Sequence, residues 1–365
     1  MNPSNCTWLA VAATGLLACL VGACNPKSAV DEVLTPVHVE FGDLFALEDT
    51  IRLDDSVLIG GSWMLDVNSK GELLVHDTQS QGVYLFSPSG TLVRTMAITD
   101  CNPGATIGFG SQSSFLGDSN VLVLNSKGAI VFDQNGECTR TIIDADLGSN
   151  TWGICSRRDT VFAIPPAVRD STFIRAYNPD FTLIGQFPLP APKFPIRASV
   201  MLTYPGFPMA CFDDDLWWVY TESHDAISRL RSTGLTRFMP DFFVERTRDY
   251  PNFQVVDQSN FQRITEMLDK AEAEATSVLG MFALDSETRM VVYDHIRSGN
   301  DEPDKGAVIA SNKGRFSGVS TLLSEFPSAA RNGMLYIAID PEDQSGGGAS
   351  NPAIVRYRFV PPTGR

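Results

Sequence analysis

Histidine is scarce in this chain of 365 residues, and basic residues are outnumbered. Its 28 lysines and arginines face 43 acidic residues, for a formal net charge of -15. That balance repels phosphate backbones and excludes a broad nucleic-acid-binding surface. The four histidines, His38, His76, His224 and His295, sit in unrelated contexts with no paired-ligand spacing. No HExxH motif and no nucleophile elbow occur, and the glycines of Gly104 to Gly110 are followed by neither a lysine nor a helical pattern. Charged side chains are only 19% of the chain and hydrophobic ones 43%, which excludes compositional disorder and supplies a real core. Beyond Cys24 no apolar run approaches the ~20 residues that a spanning helix requires.

The long apolar run that does occur is Leu9 to Ala23, followed directly by Cys24. It is too short to cross a bilayer comfortably and reads as the core of a signal peptide. Val21-Gly22-Ala23-Cys24 resembles the lipobox of bacterial lipoproteins, whose cysteine becomes the lipidated first residue. An ordinary secretory cleavage near Cys24 is the alternative. The leader departs from the usual pattern in having no Lys or Arg before the apolar run, and Cys19 offers a poorer lipobox. This reading predicts a leader over 1–23, a lipidated terminus and spacer over 24–35, and an envelope location facing periplasm or exterior, with secretion as the alternative. Four cysteines remain beyond Cys24: Cys101, Cys138, Cys155 and Cys211. They allow three full pairings, between which the sequence does not choose.

What the mature chain has in abundance is a recurring short strand ending at a polar or turn-forming residue. It reads Leu74-Val75-His76-Asp77, Leu122-Val123-Leu124-Asn125, Phe162-Ala163-Ile164-Pro165, Trp218-Val219-Tyr220-Thr221, Val291-Val292-Tyr293-Asp294 and Ile337-Ala338-Ile339-Asp340. A strand and polar turn precede each member, as in Met64 to Val67 with Asn68 to Gly71. A strand and tight turn follow, as in Val83 to Phe86 with Ser87-Pro88-Ser89-Gly90, or Ala129 to Phe132 with Asp133-Gln134-Asn135-Gly136. Glycine there supplies the positive φ of a tight hairpin, and a fourth strand completes the unit. In the third and fourth units this glycine is replaced by Asp180 or shifted to Gly234.

Four-stranded antiparallel units repeated six times must stack to cover their faces. The rhythm resembles six-bladed β-propellers of the NHL-type and TolB-like families, over about residues 37 to 360. The fold class is therefore all-β, a six-bladed propeller over 36–365, with a pair of β-sandwiches as the runner-up. The sixth unit runs out after Ile354 to Phe359, so an amino-terminal strand must close the ring. The alternating segment Val37 to Phe41 is the expected clasp, with residues 25 to 34 as dispensable spacer. Cys155 and Cys211 align without a gap between adjacent units, which predicts equivalent positions and packed, reduced thiols.

Connections from strand two to three and from blade to blade share one rim. That rim holds nearly every insertion: Thr99 to Ser113, Pro188 to Pro208, Pro240 to Thr276, His295 to Gly306 and Pro341 to Pro352. Long loops on one face of a rigid scaffold are where binding usually resides. The longest carries a helical pattern over about 257–275, with Ile264, Met267, Leu268, Ala271 and Ala275 as a narrow apolar stripe. Trp63, Trp152, Arg169, Arg197, Tyr204 and Phe207 are the candidate ligand contacts on this rim. Asp66 is a carboxylate in a first strand, but Phe115 to Gly117, Ile154 to Ser156 and Ala210 to Phe212 offer none to match, so no metal and no cofactor is expected. Asp213-Asp214-Asp215 reads as a solvated turn.

Two classes follow. One is a monomeric, envelope-tethered binding or scaffold protein for a protein, peptide or carbohydrate ligand, touching the membrane through lipid alone. The other is an extracytoplasmic propeller hydrolase or lyase working in the central channel.

Overall fold

Leu73–Asp77 and Gly82–Phe86 carry no exposed face, and every one of their residues is buried. A strand reads this way when its sheet is covered on both sides, and the next unit repeats the pattern in Asn120–Asn125 and Gly128–Phe132. The computed structural model describes residues 32–60, 63–108, 111–143, 147–148, 151, 153–157, 160–165, 173–188, 209–212, 215–218, 227–231, 234–240, 276–295, 304–311, 317–339 and 351–362.

Six sheets form six blades of four antiparallel strands each, and two of the sheets carry a fifth, parallel strand at the outer edge. Blade one runs from the inside outward as Trp63–Val67, Leu73–Asp77, Gly82–Phe86 and Leu92–Met96. Blade two is Ser113–Leu116, Asn120–Asn125, Gly128–Phe132 and Cys138–Ile142, and blade three Gly153–Arg157, Thr160–Ile164, Phe173–Tyr177 and Leu183–Pro188. Blade four is Met209–Cys211, Asp215–Trp218, Ile227–Arg231 and Gly234–Pro240, and blade five Thr276–Ala283, Thr288–His295, Asp304–Ser311 and Ser317–Leu322. Blade six is Ala329–Arg331, Met334–Ile339 and Ala353–Phe359, completed by Phe45–Arg52. Each innermost strand touches that of the next blade, and Ala329–Arg331 returns to Trp63–Val67, so the ring is closed.

The core is divided among the gaps between blades. Leu74 and Leu85 meet Val121, Val123 and Ile130 between blades one and two. Leu122 and Leu124 meet Val161 and Ala163 between two and three, and Phe162 and Ile164 meet Leu216 and Trp218 between three and four. Trp217 meets Val291 and Tyr293, Val292 meets Leu335 and Ile337, and Tyr336 meets Leu65 and Leu73 in the remaining three gaps. Consecutive residues of one strand thus serve opposite gaps, as the two-residue period requires. A fully buried Leu, Ile or Phe contributes roughly 1.5–3 kcal/mol, so each gap is a substantial fastening.

The strand that completes blade six is not Val37 to Phe41. Phe45–Arg52 pairs antiparallel with Ala353–Phe359, from Phe45 opposite Phe359 to Arg52 opposite Ala353. Phe45 and Ile51 are buried, Phe45 stacks on Phe41 at 4.9 Å between ring centroids, and it meets Phe359 at 5.7 Å. On the solvent side Arg356 engages both carboxylate oxygens of Asp49, which holds the Asp49 carboxyl below its usual range. Val37–His38 instead lies parallel to Ser317–Leu322 on the edge of blade five. Glu32–Leu34, counted above with the spacer, lies parallel to Gly234–Pro240 on blade four, with Leu34 buried in the adjoining core. The amino-terminal segment therefore runs round the circumference over two blade edges before it reaches the clasp.

Cys155 and Cys211 are joined as a disulfide, with Cα atoms 5.6 Å apart, and are not reduced thiols. The gapless alignment that made them equivalent is one residue out of register. Cys155 stands opposite Phe162 and faces blade four, whereas Cys211 stands opposite Leu216 and faces blade three. A one-residue slip turns a side chain to the other face of its sheet, so the two sulfurs point at each other across the gap.

The hairpin glycines behave as expected where they occur. Gly90 has φ +87°, and a Cβ there would also collide with the Arg52 carbonyl of the clasp. In blade three the equivalent residue is Phe181, with φ 57°, and not Asp180. Its N–H donates to Asn178 O at 2.8 Å as Gly90 N–H does to Ser87 O at 2.9 Å.

Candidate functional site

By chain order, the strands that end at Met96, Pro188, Pro240, His295 and Ile339 all end at one rim, where the long connections of the sequence begin. Turns at the other rim are tight, as where Asn68 N–H donates to Glu72 O and Gly71 N–H to Asn68 O. Of the long loops, 97–112 is described apart from residues 109 and 110, and it shows how this rim is built.

The loop begins with the helical turn Ile98–Cys101, and Ala105 N–H then donates to Asn102 O at 2.9 Å. The amide of Gln81, held at φ 60° in the adjacent hairpin, grips Ile107 by both its N–H and its carbonyl. Thr106 N–H donates to Ser126 Oγ and Ser126 N–H to Thr106 O, both at 3.0 Å. The loop ends in a reciprocal pair, Gly108 N–H to Ser111 Oγ and Ser111 N–H to Gly108 O. Gly148 and Thr151 repeat that pair before blade three, and Gln112 Nε2 donates to Thr151 O at 3.2 Å to link the two. Ser111 and Thr151 are both buried. A Gly-x-x-Ser/Thr spacing ahead of successive first strands was the available signal, and sequence reasoning passed over it. A loop with its polar groups paired internally presents a preformed surface, which lowers the ordering cost of binding.

Above blade one, buried Asp77 accepts from Gly60, Gln79 and Ser80 N–H. Asn351 takes Ile59 N–H on its side-chain oxygen and donates to Asp54 and Val57 carbonyls. Trp63, opposite Asp77 across the strand pair, is half-buried against the core between blades six and one, beside Val57 and Ile59.

His76 occupies the position that Leu124 holds in blade two, on the side of its strand that carries Leu74 toward the gap between blades one and two. It is fully buried, and neither ring nitrogen has a hydrogen-bond partner among the described residues. Burial holds its pKa down, to about 4, against the opposing pull of the Asp77 charge, so the ring is neutral at physiological pH.

In the channel wall Asp66 accepts Phe115 N–H from blade two and its neighbour Val67 N–H, each at 2.8 Å. Ser156 Oγ of blade three donates to Phe115 O at 3.0 Å, extending the fastening to a third blade. Burial raises the Asp66 carboxyl above its ordinary range, partly offset by these two amides and by Arg331. Both its oxygens are engaged in holding inner strands together.

Among the predicted ligand contacts, Trp63 is placed as described. Trp152, Arg169, Arg197, Tyr204 and Phe207 lie outside the described residues, as do Cys24, the expected helix over 257–275 and the turn Asp213-Asp214.

No protein-family model matches this chain, and no curated protein matches it. Solved structures do. A Bacteroides fragilis protein inferred to be exported is 10% identical, with a TM-score of 0.58 over 91% of this chain and 100% of that one. A member of the DUF4221 family from Bacteroides vulgatus is 8% identical, with a TM-score of 0.54 over 87% of this chain and 98% of that one. At such identities the likeness establishes the six-bladed propeller fold. A streptogramin B lyase, 14% identical over 88% of this chain and 100% of that one, scores 0.43, too low to carry an argument about chemistry.

Proposed function

We propose that this chain is a non-enzymatic binding or scaffold propeller, tethered to the bacterial envelope through lipid on Cys24. In this reading the insertion-bearing rim presents a protein, peptide or carbohydrate ligand with a preformed surface. The observation that carries it is the division of labour around the ring. Loop 97–112 is fixed from below by Gln81 and Ser126 and closed by the Gly108–Ser111 pair, while Asp66 in the channel spends both oxygens as a fastener between blades. The Bacteroides fragilis neighbour, described as inferred to be exported, supports the address only as a fold relative.

The test is binding of the mature chain to arrays of envelope glycans and peptides. Paired alanine variants Arg169→Ala with Arg197→Ala, and Tyr204→Ala with Phe207→Ala, should each weaken capture at least about tenfold, the loss of a hot-spot side chain, with the melting temperature unchanged. Turnover of a lactone or phosphodiester panel that Asp66→Asn abolishes without unfolding the protein would replace this reading with a channel hydrolase or lyase.

A further inference from the structure

Cys101 closes the helical turn at the start of loop 97–112 and is half-buried against the core between blades one and two. Cys138 opens the outermost strand of blade two and is exposed. Thr141 lies between them: its hydroxyl donates to Cys101 O at 3.2 Å and stands 3.8 Å from Cys138 Sγ. One hydroxyl thus touches both cysteines, the backbone of one and the sulfur of the other. Burial first, and then Cys138, pushes the Cys101 thiol up to about 12. With Cys155 and Cys211 already joined, one pairing remains for the four cysteines beyond Cys24.

We propose that Cys101 and Cys138 form a solvent-accessible dithiol that closes to a second disulfide and ties the rim loop to the outer edge of blade two. The oxidant is a small-molecule or protein disulfide. The exposed Cys138 thiolate attacks one of its sulfurs, forming a mixed disulfide and releasing one thiolate. Cys101 then gives up its proton to solvent and attacks Cys138 Sγ, expelling the second thiolate. Two cysteine thiols are oxidised and one disulfide is reduced to two thiols. Closure in the cell rests on the extracytoplasmic address proposed above, whereas the geometry does not.

The full mature chain, incubated with oxidised glutathione, alkylated without reduction and digested, should yield a linked Cys101–Cys138 peptide. Dithiothreitol should open this bond at lower concentration than Cys155–Cys211. Amide exchange over residues 102–108 should be about tenfold slower in the oxidised form, as expected of a loop anchored at a second point. Recovery of both cysteines alkylated after oxidant treatment, or a link from either to Cys155 or Cys211, overturns the proposal. Unchanged exchange overturns the role at the rim. A bond that closes with glutathione but is absent from acid-quenched cells refutes the address and leaves the dithiol standing.

Discussion

Replacing Phe45 by alanine tests which segment closes the ring. Phe45 is 2% exposed, packs on Phe41 and Phe359, and starts the strand that pairs with Ala353–Phe359. Truncating a buried phenylalanine costs about 3–5 kcal/mol, part of it from the aromatic contacts. Val37 is 55% exposed and belongs to the edge segment on blade five, so Val37→Ala should cost less than about 0.5 kcal/mol. The 221 described residues imply an unfolding entropy of about 0.46 kcal/mol/K, so Phe45→Ala should lower the melting temperature by about 9 °C. Urea unfolding followed by circular dichroism and by tryptophan fluorescence supplies the assay. Trp217 and Trp218 lie two blades from the clasp, and both probes should shift together, because opening the ring releases every blade gap at once. Comparable losses from Val37→Ala and Phe45→Ala, or a midpoint that moves in one probe alone, would refute the assignment of the clasp.

Two further outcomes follow from buried groups. Cys155→Ser combined with Cys211→Ser opens a loop with a sequence separation of 56 and should cost up to about 4 kcal/mol by chain entropy; a double variant as stable as wild type in urea would contradict a formed bond. His76 has its folded pKa lowered to about 4 from 6.5, so its contribution to stability is full above about pH 6.5 and is lost as pH falls toward 4. The gap corresponds to roughly 3 kcal/mol. His76→Leu, the residue blade two carries at that position, should flatten the stability profile across that window, and parallel profiles for variant and wild type would show that other groups set the acid sensitivity.

The blades were legible because their second and third strands are covered on both faces and leave continuous apolar runs. The clasp was not, for a physical reason. Phe45–Arg52 buries only Phe45 and Ile51, and four consecutive residues between them are exposed, so it has no alternation to detect. Val37 to Phe41 alternates apolar and polar residues and attracted the assignment, although both residues of the strand Val37–His38 are exposed. The cysteine pair was misread for a related cause: a strand's period of two makes a one-residue error in alignment an error of facing. Phe181 in the left-handed hairpin position was hidden because a bulky aromatic seldom adopts it. At the rim, the Gly-x-x-Ser/Thr frames were readable in principle, whereas the mutual grip of Gln81 and Ile107 depends on a fold that lays the connection from blade one to blade two beside the Gln81 hairpin.

The belt over blades four and five ends in a strand whose partner is made last. Phe45–Arg52 is synthesised some 300 residues before Ala353–Phe359, an interval of roughly 15–60 s at ordinary translation rates. Throughout that time the clasp has no sheet to join, and the edges of blades four and five that receive Glu32–Leu34 and Val37–His38 become available only after those blades have formed. The exposed row Leu47, Glu48, Asp49 and Thr50, poor in apolar residues, is suited to that wait: a segment that must linger unpaired is safer when it offers little for another chain to adhere to.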